Sequence, residues 1–104
     1  MNGITYKTFA ATVDQVHAAT RLALARMRIN VNMDRETSSG HDLVCASANR
    51  KIDVQLKSLT PHVTRMRVIA NDSMILGSGI SAADIVNRTA DNLDPPWMMV
   101  ANYN

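Results

Sequence analysis

Among the 104 residues, three histidines, seven methionines and a single cysteine are the side chains able to ligate a soft metal or act as nucleophiles. A nucleophilic thiol needs exposure and an adjacent base. His41 precedes Cys45 by four residues, a separation of about 13 Å along an extended strand. Cys45 alternates onto the side of Leu43 and is expected to face the interior as a small apolar group. His17 is expected on a helix and His41 and His62 in turns, without the close pairing typical of zinc or copper ligands. Met27, Met33 and Met66 fall on expected core faces, and His41-Asp42 by itself is no catalytic motif. The residues therefore assign no catalytic group, no metal ligand and no cofactor.

Two weaker constellations concern binding. Gly77, Ser78 and Gly79 precede a helix start at Ser81, where free backbone amides can cradle an anion. A dinucleotide fingerprint is not met there, since neither a third glycine nor a parallel βαβ unit accompanies it. The terminal run Trp97, Met98, Met99, Val100 and Tyr103 is apolar where a chain end is normally polar and frayed. Its expected roles are to fold back on its own domain or to anchor in a partner.

The elements that must carry these groups follow from periodicity. Ile4 to Phe9 reads as a strand. Thr12 and Gln15 have capping-box spacing, and Val13, Val16, Thr20, Ala23, Leu24 and Met27 recur at helical steps, predicting a helix over about 13–28. Arg21 and Arg28, with His17 near them, are expected on its outward side. The period then drops to two: Ile29, Val31 and Met33 alternate with Asn30, Asn32 and Asp34. Ser38, Ser39 and Gly40 break that strand, and a second runs over Leu43 to Ala48 into a tight turn at Ala48-Asn49-Arg50-Lys51.

Ile52, Val54 and Leu56 alternate with Asp53, Gln55 and Lys57 in the next strand, which ends at Thr60-Pro61. Thr64, Met66 and Val68 point inward in the last one, Arg65 and Arg67 outward. Pairing Asp53 with Arg67 and Gln55 with Arg65 matches polar with polar and sets Ile52 against Val68 and Val54 against Met66. After a loop over 71–79, Ser81 and Asp84 cap a second helix stapled by Ile80 and Ile85, with Ile85, Val86, Ala90 and Leu93 on its apolar face and Pro95-Pro96 ending it.

These elements predict an α+β two-layer sandwich of order β-α-β-β-β-β-α: a largely antiparallel sheet of four to five strands with two helices packed on one face. One domain over 1–94 and an apolar tail over 95–104 are expected. A net charge of +2, dispersed along the chain, and only four aromatic residues near its two ends do not make a nucleic-acid surface. No apolar run reaches the length of a spanning helix. With no signal-peptide pattern after Met1 the chain reads as cytoplasmic as it stands.

In its Tyr6 to Phe9 strand, its Val13, Val16 and Ala23 helix, the Ser39-Gly40 break, the Ile52 to Lys57 strand, the Thr60-Pro61-His62 turn and the run Val63 to Val68, the chain resembles a family of small bacterial proteins of unknown function. The likeness spans about residues 4–93. Many of that family are lipoproteins outside the cytoplasm, which implies export or lipid anchoring if sequence precedes Met1. The resemblance brings no catalytic residue with it. The expected function is a non-enzymatic binding or assembly domain that contacts protein, a second copy included, through the apolar tail or through the open sheet face bearing Arg65 and Arg67. The rival reading is a small-ligand or anion-binding domain, with catalysis as its extension, centred on Gly77, Ser78, Gly79 and Ser81.

Overall fold

Why the chain turns where it does is visible at the two ends of its first helix. The computed structural model describes residues 2–48, 50–71 and 80–93. Helix α1 (Val13–Arg26) opens with the expected capping box: Gln15 N donates to Thr12 Oγ1 at 3.1 Å and Thr12 N donates to Gln15 Oε1 at 2.9 Å. It closes at Met27 with Arg28 in the left-handed region (φ 59°). Ile29 N then reaches Leu24 O at 2.9 Å and Arg28 N reaches Ala25 O at 3.1 Å, a Schellman closure that satisfies the last carbonyls. Ile29 and Leu24 are both buried, so the same turn that ends the helix buries the first apolar residue beyond it.

The remaining elements are β1 (Asn2–Phe9), β2 (Asn30–Thr37), β3 (Gly40–Ser47), β4 (Arg50–Thr60), β5 (Val63–Asn71) and α2 (Ala82–Leu93). All five strands form one antiparallel sheet in the order β1-β5-β4-β3-β2. β2 to β5 are a meander of consecutive hairpins, and β1 closes against β5 from the far end of the chain. The predicted α+β class and element order are what is found. Helix α2 packs over β1 and β5, and α1 contacts α2 together with β4, β2 and β5.

The core lies between helices and sheet. Val16, Ala23 and Leu24 of α1 and Ile85 and Val86 of α2 meet Leu43, Cys45, Ile52, Val54, Leu56, Met66 and Val68. The buried threonines are satisfied locally: Thr20 Oγ1 donates to Val16 O at 2.7 Å and Thr89 Oγ1 to Ile85 O at 2.9 Å. Thr64 Oγ1 donates to Ala11 O at 2.9 Å and ties β5 to the start of α1. At α2 the Ser81–Asp84 box is present, with Asp84 N donating to Ser81 Oγ at 3.2 Å and Ser81 N to Asp84 Oδ2 at 2.9 Å. Arg50, at the start of β4, is buried and donates to the carbonyl of Ile80 just ahead of α2.

Four expectations are corrected. Helix α1 stops two residues early, because the left-handed turn at Arg28 starts the strand approach. His41 lies within β3, which begins at Gly40 directly after a two-residue turn at Ser38-Ser39. The β4–β5 register is shifted by two residues from the expected one: Asp53 faces Ile69, Gln55 faces Arg67, Ile52 faces Ala70 and Val54 faces Val68. A tight turn at Pro61-His62, with an irregularity between Ser58 and Thr60, sets that register. An even shift keeps every side chain on its expected face. Met33, finally, is not in the core but 53% exposed. A β-bulge between Val31 and Met33 makes Val31 face Cys45 and Met33 face Val44, so inward and outward exchange beyond Asn32.

Candidate functional site

Beyond the bulge, β2 turns Asp34 rather than Met33 toward the helices, since Asp34 is paired with buried Leu43. His41 shares that face: it pairs with Glu36 on one side and with buried Leu56 on the other, which makes it a diagonal neighbour of Asp34. Helix α1 runs above this corner and supplies Val13, His17 and Arg21 at successive steps of four residues, one flank of a helix. Asp34 Oδ2 lies 2.6 Å from His17 Nε2 and 3.2 Å from an Arg21 guanidinium nitrogen. Asp34 Oδ1 lies 3.3 Å from His41 Nδ1. That nitrogen is shielded from solvent and does not form a hydrogen bond of good geometry. The two imidazoles stack, centroids 3.8 Å apart and planes inclined by 17°.

Burial alone would raise the Asp34 pKa, but the hydrogen bond from His17 and the charges of His17, His41 and Arg21 outweigh it and hold the carboxyl below its ordinary value. The corner is thus an anionic carboxylate embraced by two imidazoles and a guanidinium. The expectation that His17 and His41 stand apart is overturned: α1 and β3 stack them. His62, in the β4–β5 turn, is exposed and is not part of that cluster. The missed signal is the bulge, because in an unbroken ladder Asp34 and His41 fall on opposite faces.

The face of the sheet away from the helices is ordered in rows. One cross-strand row reads Ile4, Ile69, Asp53, Val44, Met33 and the next Tyr6, Arg67, Gln55, Asp42, Arg35. In the second row Arg67 lies over the Tyr6 ring, its guanidinium carbon 5.7 Å from the centroid, and donates to Gln55 Oε1 at 3.1 Å. Arg35 donates to Asp42 Oδ2 at 3.3 Å. The predicted outward placement of Arg65 and Arg67 is met, with Arg65 opposite Lys57 and Thr8.

Asp42 and Asp53 form an acid pair at the centre of this face. Their Oδ1 atoms are shielded from solvent and lack a hydrogen-bond partner of good geometry, which disfavours negative charge there. Burial first, then the hydrogen bond and repulsion from Asp42, raise Asp53 to about 6 against the opposing charges of Lys51 and Arg67.

Cys45 is buried in β3 as expected, and burial followed by the charge of Asp53 pushes its thiol up to about 11. Among the apolar-tail residues Trp97, Met98, Met99, Val100 and Tyr103, all lie outside the described residues, as do Gly77, Ser78 and Gly79. Ser81 is described, and its amide is already taken by the carboxylate of Asp84. Helix α2 therefore carries its own anion where the loop reading would place a foreign one. No helix among the described residues is long and apolar enough to cross a membrane.

The chain matches no family model, and a comparison with curated proteins gives no match either.

Proposed function

We propose that this domain works by binding rather than catalysis, and that its binding surface is the open face of the sheet, which docks another protein. The observation that carries this reading is the exposure of Ile4 (51%), Tyr6 (57%) and Met33 (53%) on the face opposite α1 and α2, which no helix among the described residues covers. Ile69 and Val44, half-buried, join Ile4 and Met33 in one row. Covering a large apolar side chain fully is worth about 1.5–3 kcal/mol, and a strand face presents such groups in a fixed array.

Charge selects the partner. Among the described residues, Arg35, Lys51, Lys57, Arg65 and Arg67 share this face with two carboxylates, Asp42 and Asp53. Two copies docked face to face would set like charges against each other, so the surface fits an apolar patch rimmed by acidic groups better than it fits itself. Tyr6 and Arg67, already in contact, are residue types that dominate interface energetics.

Selection of random displayed peptides against the full chain tests the reading. Enriched sequences should combine acidic with apolar residues, and their binding should weaken at least about tenfold in a Tyr6→Ser, Met33→Ser double variant, the loss of roughly 1.4 kcal/mol. Peptides that lack acidic bias, or that bind the double variant unchanged, would refute it.

A further inference from the structure

We propose that His17, Asp34 and His41 form a binding site for a divalent first-row transition-metal ion at the corner where α1 crosses the β2–β3 hairpin. One ligand atom from each residue lies within 4.8 Å of the other two. Around one ion at about 2.1 Å from each ligand, the donor atoms must sit about 3.0–3.5 Å apart; His41 Nδ1 already lies 3.3 Å from Asp34 Oδ1, and His17 Nε2, 2.6 Å from Asp34 Oδ2, has to draw back slightly. Three different elements supply the donors, and α1 and β2 are joined by the closed turn at Arg28. The corner is therefore assembled by the fold before any ion arrives.

The donor set selects the kind of ion. Two neutral imidazoles and one carboxylate suit zinc, iron, cobalt or nickel, whereas calcium and magnesium favour all-oxygen shells. His41 Nδ1, shielded and without a well-formed hydrogen bond, gains a partner when an ion arrives. Three protein ligands leave room for water to complete the coordination shell.

Two features oppose the ion and make the proposal specific. A ring nitrogen donates in the plane of its ring, and rings stacked 3.8 Å apart at 17° cannot both aim at one centre. Binding must therefore tilt the imidazoles out of their stack. Arg21 places a competing positive charge 3.2 Å from Asp34 Oδ2, but its side chain is 47% exposed and can withdraw into solvent. An ion pair kept only for structure should weaken when Arg21 is removed; a metal site should tighten.

The test uses the full chain freed of metal with a chelator, with Zn²⁺ as the probe for calorimetry and nitrogen-15 NMR of the imidazoles as the local readout. One ion per chain should bind, with the ligation shift on His17 Nε2 and His41 Nδ1 and none on His62. His17→Gln should weaken binding more than about 100-fold, beyond the 10–100-fold that second-layer partners contribute, and Arg21→Gln should strengthen it several-fold. Because the imidazole shifts are read on the unmodified protein, the outcome stands even if a histidine variant misfolds. Zn²⁺ that fails to bind, or that binds without moving the His17 and His41 nitrogens, would overturn the proposal.

Discussion

Asp34 Oδ2 lies 2.6 Å from His17 Nε2, a pairing between β2 and α1 across 17 residues. A local departure from a regular ladder creates it: the bulge after Val31 turns Asp34 inward and leaves Met33 outside. The same bulge therefore supplies a carboxylate to one side of the sheet and an apolar contact to the other.

Gly40 can be nothing larger. A Cβ built on it would stand 1.9 Å from Leu56 O and 3.2 Å from a Val13 methyl carbon, and a backbone oxygen in a sheet cannot step aside. Gly40→Ala should destabilise the domain by about 3 kcal/mol, at the upper end of overpacking costs. The midpoint and slope of urea denaturation read this directly, and an unchanged midpoint would remove the glycine from the argument.

Arg28 presents the opposite case. It occupies the left-handed region at φ 59° and is exposed, a conformation that disfavours every side chain with a Cβ. Arg28→Gly should raise stability by about 0.5–1 kcal/mol, because relief at the helix end exceeds the entropy that glycine adds to the unfolded chain. Thermal unfolding followed by circular dichroism should show a higher midpoint.

Asp53 gives the pH dependence. Its folded-state pKa of about 6 lies above the ordinary 3.8, so between those values the native state holds more protons than the unfolded one. Stability should accordingly fall as pH rises from about 4 to about 6 and then level off for this group. Asp53→Asn should flatten that slope and stabilise the protein at pH 7, with little effect at pH 4. Denaturation curves at both pH values decide it; an equal effect at the two would show that the carboxyl does not titrate in this window.

Cys45 should be inert in the native state. With no exposed surface and a thiol pushed up to about 11, it presents almost no thiolate at pH 7.5. Maleimide labelling monitored by mass should proceed only as fast as the domain unfolds, and should become immediate in denaturant. Rapid labelling of folded protein would mean that β3 opens locally.

Much of this architecture was legible because hydrophobic parity is insensitive to even errors. The β4–β5 register was misplaced by two residues, yet Val54 and Leu56 still fall inside and Gln55 and Arg67 outside. Both helix caps could be read from side chains three residues apart. The bulge beside Asn32 left no such trace: no glycine marks it, and the alternation Val31, Asn32, Met33, Asp34 looks regular. One unpaired residue was enough to reverse the faces of β2, hide the meeting of His17 with Asp34 and His41, and place Met33 wrongly in the core. The Arg65 and Arg67 surface suffered no such break and was foreseen.

The sheet order also has a kinetic consequence. β2 to β5 can zip together from one short turn to the next, whereas β1 must find β5 across more than fifty residues of intervening chain. Closing that long circuit is entropically the hardest step. The amino-terminal strand should thus arrive last during refolding and, at high concentration, be the segment most readily traded between neighbouring molecules.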